Sequence, residues 1–367
     1  MPVISIDIDT KIAPRYDVHV EAGLLEHLGA MVRRVAPAPS CALLSDRNVA
    51  EHYLPRVREA LRRADYRVVE FVFPPGEPHK NLATVAQAYD VLLGARLERA
   101  SPIVALGGGV VGDLAGFVAA TLLRGVPLIQ VPTTLLAAVD ASVGGKVGVD
   151  HAQGKNLIGA FHQPRAVLAD VQTLATLPAV ELQCGLAECV KHAVIAEAPL
   201  LEFIVDHLPR IVRHDVSALI ELITRNVRIK ARIAGADPFE HGMRALLNFG
   251  HTFGHALETI GEYNELRHGQ AVALGMMAAA QLAVARGLFS AMDAARLRAL
   301  LERIGLPVRR PGLDIPRVLA AMQSDKKIRS GALRFILPVG LGRAEIFTDV
   351  TEAEMRAALG AITAPGA

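Results

Sequence analysis

The stretch PIVALGGGVVGDLAGF, residues 102–117, joins a β-strand to a helix through a glycine turn. Gly107, Gly109 and Gly112 match the spacing G-x-G-x-x-G directly after the strand. Glycine lets a backbone come close to a pyrophosphate, and a helix N-terminus favours its negative charge. The same residues also suit a tight strand-to-helix turn that binds nothing. An ordinary dinucleotide fingerprint carries an acidic residue about 20 positions on, at the end of the next strand. Here that strand ends in Val131, Pro132, Thr133 and Thr134, so the fingerprint is not the ordinary one. Asp113 follows the glycines and suits a phosphate site only if it meets a ribose hydroxyl or a backbone amide.

Outward from this turn, short β-branched runs alternate with helical patterns. VISIDI (3–8), YDVHV (16–20), CALLSD (41–46), YRVVEFVF (66–73), PIVAL (102–106) and PLIQVP (127–132) read as strands. LEHLGAMVRRV (25–35), YLPRVREALRRA (53–64) and LATVAQAYDVLLGARL (82–97) read as helices. Such alternation predicts an α/β, Rossmann-like domain with a largely parallel sheet, placed at residues 1–177. Beyond it the patterns are helical, as in LLEFIVDHL (200–208) and VSALIELITRNVRIKARIA (216–234). One late hairpin is expected, ALRFILPV (332–339) with RAEIFTDV (343–350). Residues 178–367 are therefore expected to form a mostly α-helical second domain.

The bulk numbers exclude several classes. Hydrophobic residues make up 51% and charged residues 21% of the 367 residues, which supports a sizeable core and argues against disorder. The net charge of +2, from 39 basic and 37 acidic residues, gives no footprint for nucleic acid. Arg56, Arg58, Arg62 and Arg63 recur at helical spacing and read as a solvated face. Cys41, Cys184 and Cys189 are odd in number and lack metal spacing, which fits a reduced, cytoplasmic protein. The N-terminus MPVISIDIDTK shows no signal-peptide pattern. The longest apolar run, AVALGMMAAAQLAVA (271–285), is short and interrupted by Gln281, and reads as a buried helix rather than a membrane span.

Three further stretches carry chemistry. PPGEPHK (74–80) is a turn bearing Glu77 and Lys80. Residues 131–161 read as a polar loop rich in Gly, Thr and Lys, with Asp140, Lys146, Lys155 and Asn156 among its polar groups. Such a loop offers hydroxyl, amide and ammonium donors to anionic groups. LNFGHTFGHALE (247–258) repeats Phe-Gly-His at a spacing of one helical turn, so that His251 and His255 share a face. Glycine costs a helix about 1 kcal/mol relative to alanine, so Gly250 and Gly254 point to close approach, either of a neighbouring helix or of a ligand.

Taken together, GGGVVGDLAGF (107–117), RGVPLIQVPTTLLAAVDASVGGK (124–146), GKNLIGAF (154–161), GLAECVKH (185–192), LNFGHTFGHALE and RHG (267–269) resemble the 3-dehydroquinate synthase family in order and spacing. The resemblance implies an NAD-binding α/β domain, a helical metal-binding domain and an active site between them. It implies conversion of the sugar phosphate 3-deoxy-D-arabino-heptulosonate 7-phosphate to 3-dehydroquinate and phosphate, in the shikimate pathway to chorismate and the aromatic amino acids. The chemistry implied is transient oxidation by NAD, phosphate elimination, re-reduction and an intramolecular aldol closure. The metal, zinc or cobalt, would be held by Glu188, His251 and His268. Three protein ligands leave a coordination position open for substrate, as a catalytic zinc requires.

Carried over by position, catalytic roles would fall to His255, Glu240, Lys146, Lys191, Arg244 and Asn248. Substrate would be held by Arg124, Asp140, Lys146, Asn156, Lys191, Lys230, Arg244, Asn248 and one or both of Lys326 and Lys327. NAD would meet Asp46, Asn48, Glu77, Lys80, the turn Gly108, Gly109, Val110, Val111, Gly112 and Asp113, then Thr133, Thr134 and Lys155. Thr173, Leu174, Ala175 and Thr176 would lie near the same cofactor. A homodimer is also implied. One departure stands out: many members carry Thr-Ala-Val-Asn after the Gly-Gly-Lys, where this chain has Val147, Gly148, Val149 and Asp150. Polyol dehydrogenases also combine a triple-glycine turn with His-x-x-x-His, but a neutral polyol has no need of Lys146, Lys155, Lys191 and Arg244. Cyclases acting on other sugar phosphates and a non-catalytic NAD and metal sensor are the remaining alternatives.

Overall fold

Strand β2 (Ser40–Asp46) is buried along its whole length, and its side chains alternate between two cores. Ala42 and Leu44 pack on one face of a sheet, Cys41 and Leu43 on the other. Strand β4 (Ile103–Gly107) does the same with Ile103 and Ala105 against Val104 and Leu106. A two-residue period that is apolar on both faces belongs to a parallel sheet covered by helices on both sides.

The computed structural model of the chain describes residues 15–261, 265–328 and 333–363, with side chains outside 324–328. The first half runs β1 (Asp17–Glu21), α1 (Leu28–Val35), β2, α2 (Arg47–Arg63), β3 (Arg67–Phe73), α3 (Leu82–Gly94), β4 and α4 (Gly109–Thr121). It continues through β5 (Leu128–Pro132), β6 (Lys146–His151), β7 (Gly154–Phe161) and β8 (Ala166–Asp170). The main sheet has the order β1-β8-β5-β4-β2-β3, with every pairing parallel. From β2 the chain moves outward to β3, and from β4 it moves the other way to β5. The crevice at the carboxyl ends of β2 and β4 is therefore the topological switch point, where α/β sheets bind ligands.

The expected strands and helices of the first half are present, except that VISIDI falls outside the described residues. Strand β8 was not anticipated, and residues 131–161 are not a loop. Ala137–Ala141 form one turn of π-helix, and β6 and β7 form an antiparallel hairpin. Its glycines suggested a loop, but they serve close contact. Gly148 pairs with Gly159, and a Cβ on Gly148 would stand 2.7 Å from the Ile158 carbonyl oxygen. Val147 of the hairpin packs directly over Gly116 of α4.

The second half comprises α5 (Ala179–Ala196), α6 (Ala198–Val212), α7 (Val216–Ala236), α8 (His251–Ile260), α9 (His268–Ala285), α10 (Ala291–Ile304) and α11 (Ile315–Ile328). The expected hairpin, β9 (Phe335–Gly340) with β10 (Arg343–Phe347), follows, and α12 (Glu352–Thr363) ends it. Helix α9 carries the long apolar run and is buried along most of its length. Among the described residues no helix is long and apolar enough to cross a membrane. Cys41, Cys184 and Cys189 are free and buried.

Glycines set how closely α5, α8 and α9 pack. Gly250 begins α8 in a left-handed conformation, φ 81°, and a Cβ there would stand 2.7 Å from Met276 of α9. A Cβ on Gly275 of α9 would overlap the Gly250 carbonyl oxygen, and one on Gly269 would overlap the Cys184 backbone of α5. The doubled Phe-Gly pattern thus holds two helices backbone to backbone. Replacing Gly275 with alanine is expected to cost about 1–3 kcal/mol by overpacking, read as a lower thermal midpoint, and to weaken metal uptake. Gly235→Ala, whose Cβ meets nothing within 4 Å, is the control and should keep both.

Candidate active site

Glu188 sits on α5 with 1% of its surface exposed, and neither carboxylate oxygen has a hydrogen-bond partner. Lys191, one turn on, meets it as an ion pair. His251 and His268 are the first residues of α8 and α9. Their Nε2 atoms lie 3.8 and 3.5 Å from Glu188 Oε1. The Nδ1–H of His251 donates to the Phe249 carbonyl at 3.1 Å, which leaves Nε2 as the free ligand atom. The ligand atoms of the three residues lie within 4.8 Å of one another. One carboxylate oxygen and two imidazole nitrogens converging at a buried point fit a divalent cation with open positions. The ring of His255 stands 5.2 Å from that of His251, so it borders this group.

Burial is the largest influence on His251 and, helped by the nearby Lys191 charge, lowers its pKa to about 3. Burial also works to lower His268, but the carboxylates of Glu188 and Glu258 outweigh it and hold the ring up at about 10. Burial tends to raise Glu188, yet Lys191 and the histidines bring it below the usual carboxylate range.

A second group adjoins the first. Asp140, in the π-helical turn, lies 2.9 Å from Lys230 Nζ and 3.9 Å from Lys191 Nζ. Burial opposes its ionisation, but the two lysines overcome that and put its pKa well below the usual range. Behind it, buried His192 stands 3.6 Å away and hydrogen-bonds Asn226 at 3.0 Å. A third group gathers around residues 237–248. Lys146 pairs with Glu240, and Asn248 donates to Glu240 at 3.0 Å. Arg244, 1% exposed, donates to the carbonyls of Gly144 at 2.8 Å and Pro238 at 2.6 Å. The Asp237 carboxylate fixes this loop by accepting from the amides of His241, Gly242 and Arg244.

Many of the residues expected to meet NAD lie at the carboxyl ends of β2, β4 and β5, around the switch-point crevice. Asp46 ends β2 and caps α2 by accepting from the Val49 amide, with Asn48 exposed beside it. Gly108, Gly109 and Val110 open α4, where a Cβ on Gly108 would press on Thr134 at 3.0 Å. Val111 turns its side chain into the core. Gly112 lets Gln130 of β5 approach, and its carbonyl accepts from that side chain at 3.1 Å. Thr133 Oγ1 is buried without a partner. A cradle kept clear by glycine, with an orphaned hydroxyl, fits an anionic cofactor. Thr173 and Thr176 follow β8, where both bond the Tyr53 hydroxyl, while Leu174 is core. Ala175 is exposed beside them.

Lys80 is 3% exposed and faces Glu77 at 2.7 Å, Asp113 at 3.4 Å and Asp150 at 3.6 Å. This accounts for Asp113 after the glycines, and for Asp150. Asn156, expected among the substrate groups, accepts from Lys80 Nζ at 2.8 Å and so belongs to this cluster. Arg124 precedes β5, at the amino-terminal end of the strands and so opposite the crevice, and is not brought together with the others. Lys326 and Lys327 lie on α11, with their side chains outside the described residues. Sequence reasoning missed Glu258, His192, Asn226 and Asp237. Glu258 closes the stretch LNFGHTFGHALE on the histidine face, and that spacing was the available signal.

Comparison with known proteins agrees with this arrangement. The family model described as 3-dehydroquinate synthase N-terminal matches residues 70–184, and the C-terminal model matches residues 185–328. A 3-dehydroquinate synthase of Desulforamulus reducens is 44% identical over 98% of this chain and 99% of its own. The solved 2-epi-5-epi-valiolone synthase of Streptomyces hygroscopicus, with NAD+ and Zn2+ bound, superposes with TM-score 0.90 at 30% identity. That match covers 97% of this chain and 99% of the other. A 2-deoxy-scyllo-inosose synthase complexed with carbaglucose-6-phosphate, NAD+ and Co2+ gives 0.84 at 28%, covering 93% and 95%. The fold and site define a sugar-phosphate cyclase, an enzyme of the lyase class. Within that class, the chain belongs to the 3-dehydroquinate synthase family.

Metal uptake should release a proton, because His268 is held protonated up to about pH 10 in the metal-free protein. Zinc affinity is therefore expected to rise as pH rises, approaching tenfold per pH unit below that value. Calorimetry in buffers of different ionisation enthalpy should count about one proton per zinc at neutral pH.

Proposed function

We propose that the chain converts 3-deoxy-D-arabino-heptulosonate 7-phosphate to 3-dehydroquinate and phosphate, with NAD in the switch-point crevice and zinc or cobalt on Glu188, His251 and His268. The supporting observation is one continuous set of groups: the carboxylate–histidine triad, then Lys191, Lys230 and Asp140, then Lys146, Glu240, Arg244 and Asn248. A neutral polyol has no use for so many buried or half-buried cations. The 44% relative is a dehydroquinate synthase, whereas the other two cyclases are 28–30% identical, which favours this substrate within the class.

When bound, NAD supplies a hydride acceptor restored within each turnover, and the metal polarises the hydroxyl oxygens it contacts. The chain's own groups do the rest. Lys191 stays charged, since Glu188 and Asp140 outweigh the burial that would discharge it. It is placed to hold an anionic substrate group. Burial, reinforced by Lys191, lowers Lys230, so it gives up a proton more readily than an ordinary lysine. Glu240 is ionised, because Lys146 outweighs the burial opposing it, and so it can accept a proton. His255, beside His251, is the second proton carrier. Arg244 and Asn248 orient the substrate from the far wall. A division into domains near residue 177, a homodimer and a cytoplasmic location belong to the same reading.

The decisive assay supplies the heptulosonate phosphate, zinc and sub-stoichiometric NAD, and follows phosphate and NADH together. Many turnovers of phosphate without accumulating NADH are expected. NADH accumulating from polyols without phosphate would replace this reading with a dehydrogenase. His268→Ala should lose at least about a hundredfold in turnover with its fold kept; full activity in that variant would remove the metal assignment.

A further inference from the structure

Glu258 is a carboxylate with 3% of its surface exposed, on the helix that carries His251. A buried charge costs several kcal/mol unless it is paired. His251, His255 and Glu258 follow one another at four and three residues, so α8 turns all three to one side. Glu258 Oε2 stands 3.5 Å from His268 Nδ1, while His268 Nε2 stands 3.5 Å from Glu188. The imidazole is thus held between two carboxylates, one on each nitrogen. The other oxygen of Glu258 accepts from Lys155 Nζ at 3.2 Å, a donor carried by the β6–β7 hairpin of the sheet half.

We infer that Glu258 is a positioning residue for the metal centre: it anchors the Nδ1–H of His268, so that Nε2 faces the cation, and Lys155 steadies it from across the crevice. The inference rests on the assignment of Glu188, His251 and His268 as metal ligands. A carboxylate behind a ligating imidazole fixes its tautomer and orientation and raises its basicity. Glutamate meets this need where glutamine would meet it in part. The amide oxygen still accepts from Nδ1–H but brings no charge.

The test uses the full chain stripped of metal, with zinc affinity measured by competition against a chromophoric chelator. Glu258→Ala is expected to bind zinc about 10–100-fold more weakly, with Glu258→Gln in between. The cobalt-substituted variants should also show a shifted visible absorption spectrum, which a purely structural role for Glu258 would leave in place. Metal-free E258Q should still show a cooperative thermal unfolding transition, so E258Q decides the matter if the alanine variant fails to fold. Parental zinc affinity and an unchanged cobalt spectrum in both variants would overturn the inference alone. A parent protein that takes up no zinc would overturn the metal assignment and this inference with it.

Discussion

A single buried charge organises this molecule. Glu188 lies buried in the helical half, and such a group persists only where opposite charge surrounds it. Lys191 supplies part of that charge from the same helix, and His268 supplies more. The two histidines come from the starts of two other helices, so α5, α8 and α9 must meet at one point. They can do so because Gly250, Gly269 and Gly275 remove the side chains that would hold their backbones apart. Packing and electrostatics are therefore one problem here.

The sheet half solves a different problem with the same residue type. Its glycines sit where β4 turns into α4 and where the hairpin lies on that helix. The result is a crevice at the switch point, lined by helix N-terminal amides and an unpaired threonine hydroxyl. Around Lys80, three carboxylates converge on one ammonium. Burial raises Asp113 to about 6 despite Lys80, so Asp113 gains a proton more readily than an isolated carboxylate does.

The parallel sheet was legible because its strands are apolar on both faces and bounded by glycine and proline. The buried α9 helix was legible from its length and its alanine content. Residues 131–161 were misread, since glycine is equally the mark of a loop and of two strands pressed backbone to backbone. Strand β8 has one β-branched residue, Val167, against two in each of the equally short β1, β4 and β5, and so did not register. The expected metal ligands Glu188, His251 and His268 came from a resemblance, and their convergence is visible only in three dimensions. His192 and Asn226 were missed because a buried polar residue on a helix has no local signature. What distinguishes it is the partner it finds far away in sequence, such as Asn226 for His192.

The β6–β7 hairpin has a mechanical aspect. Its strands touch at Gly148 and Gly159, where no side chain can flex. Lys146 leaves one strand for Glu240, and Lys155 leaves the other for Glu258. Both carboxylates belong to the helical half, so the hairpin is a two-pronged clasp across the cleft. Its prongs are ionic, and Lys146 is half exposed at 47%. Salt weakens an exposed ion pair, and at physiological ionic strength it largely removes attraction beyond about 8 Å. The hold of one half on the other is thus set partly by the surrounding electrolyte, while the interiors of both halves are insulated from it.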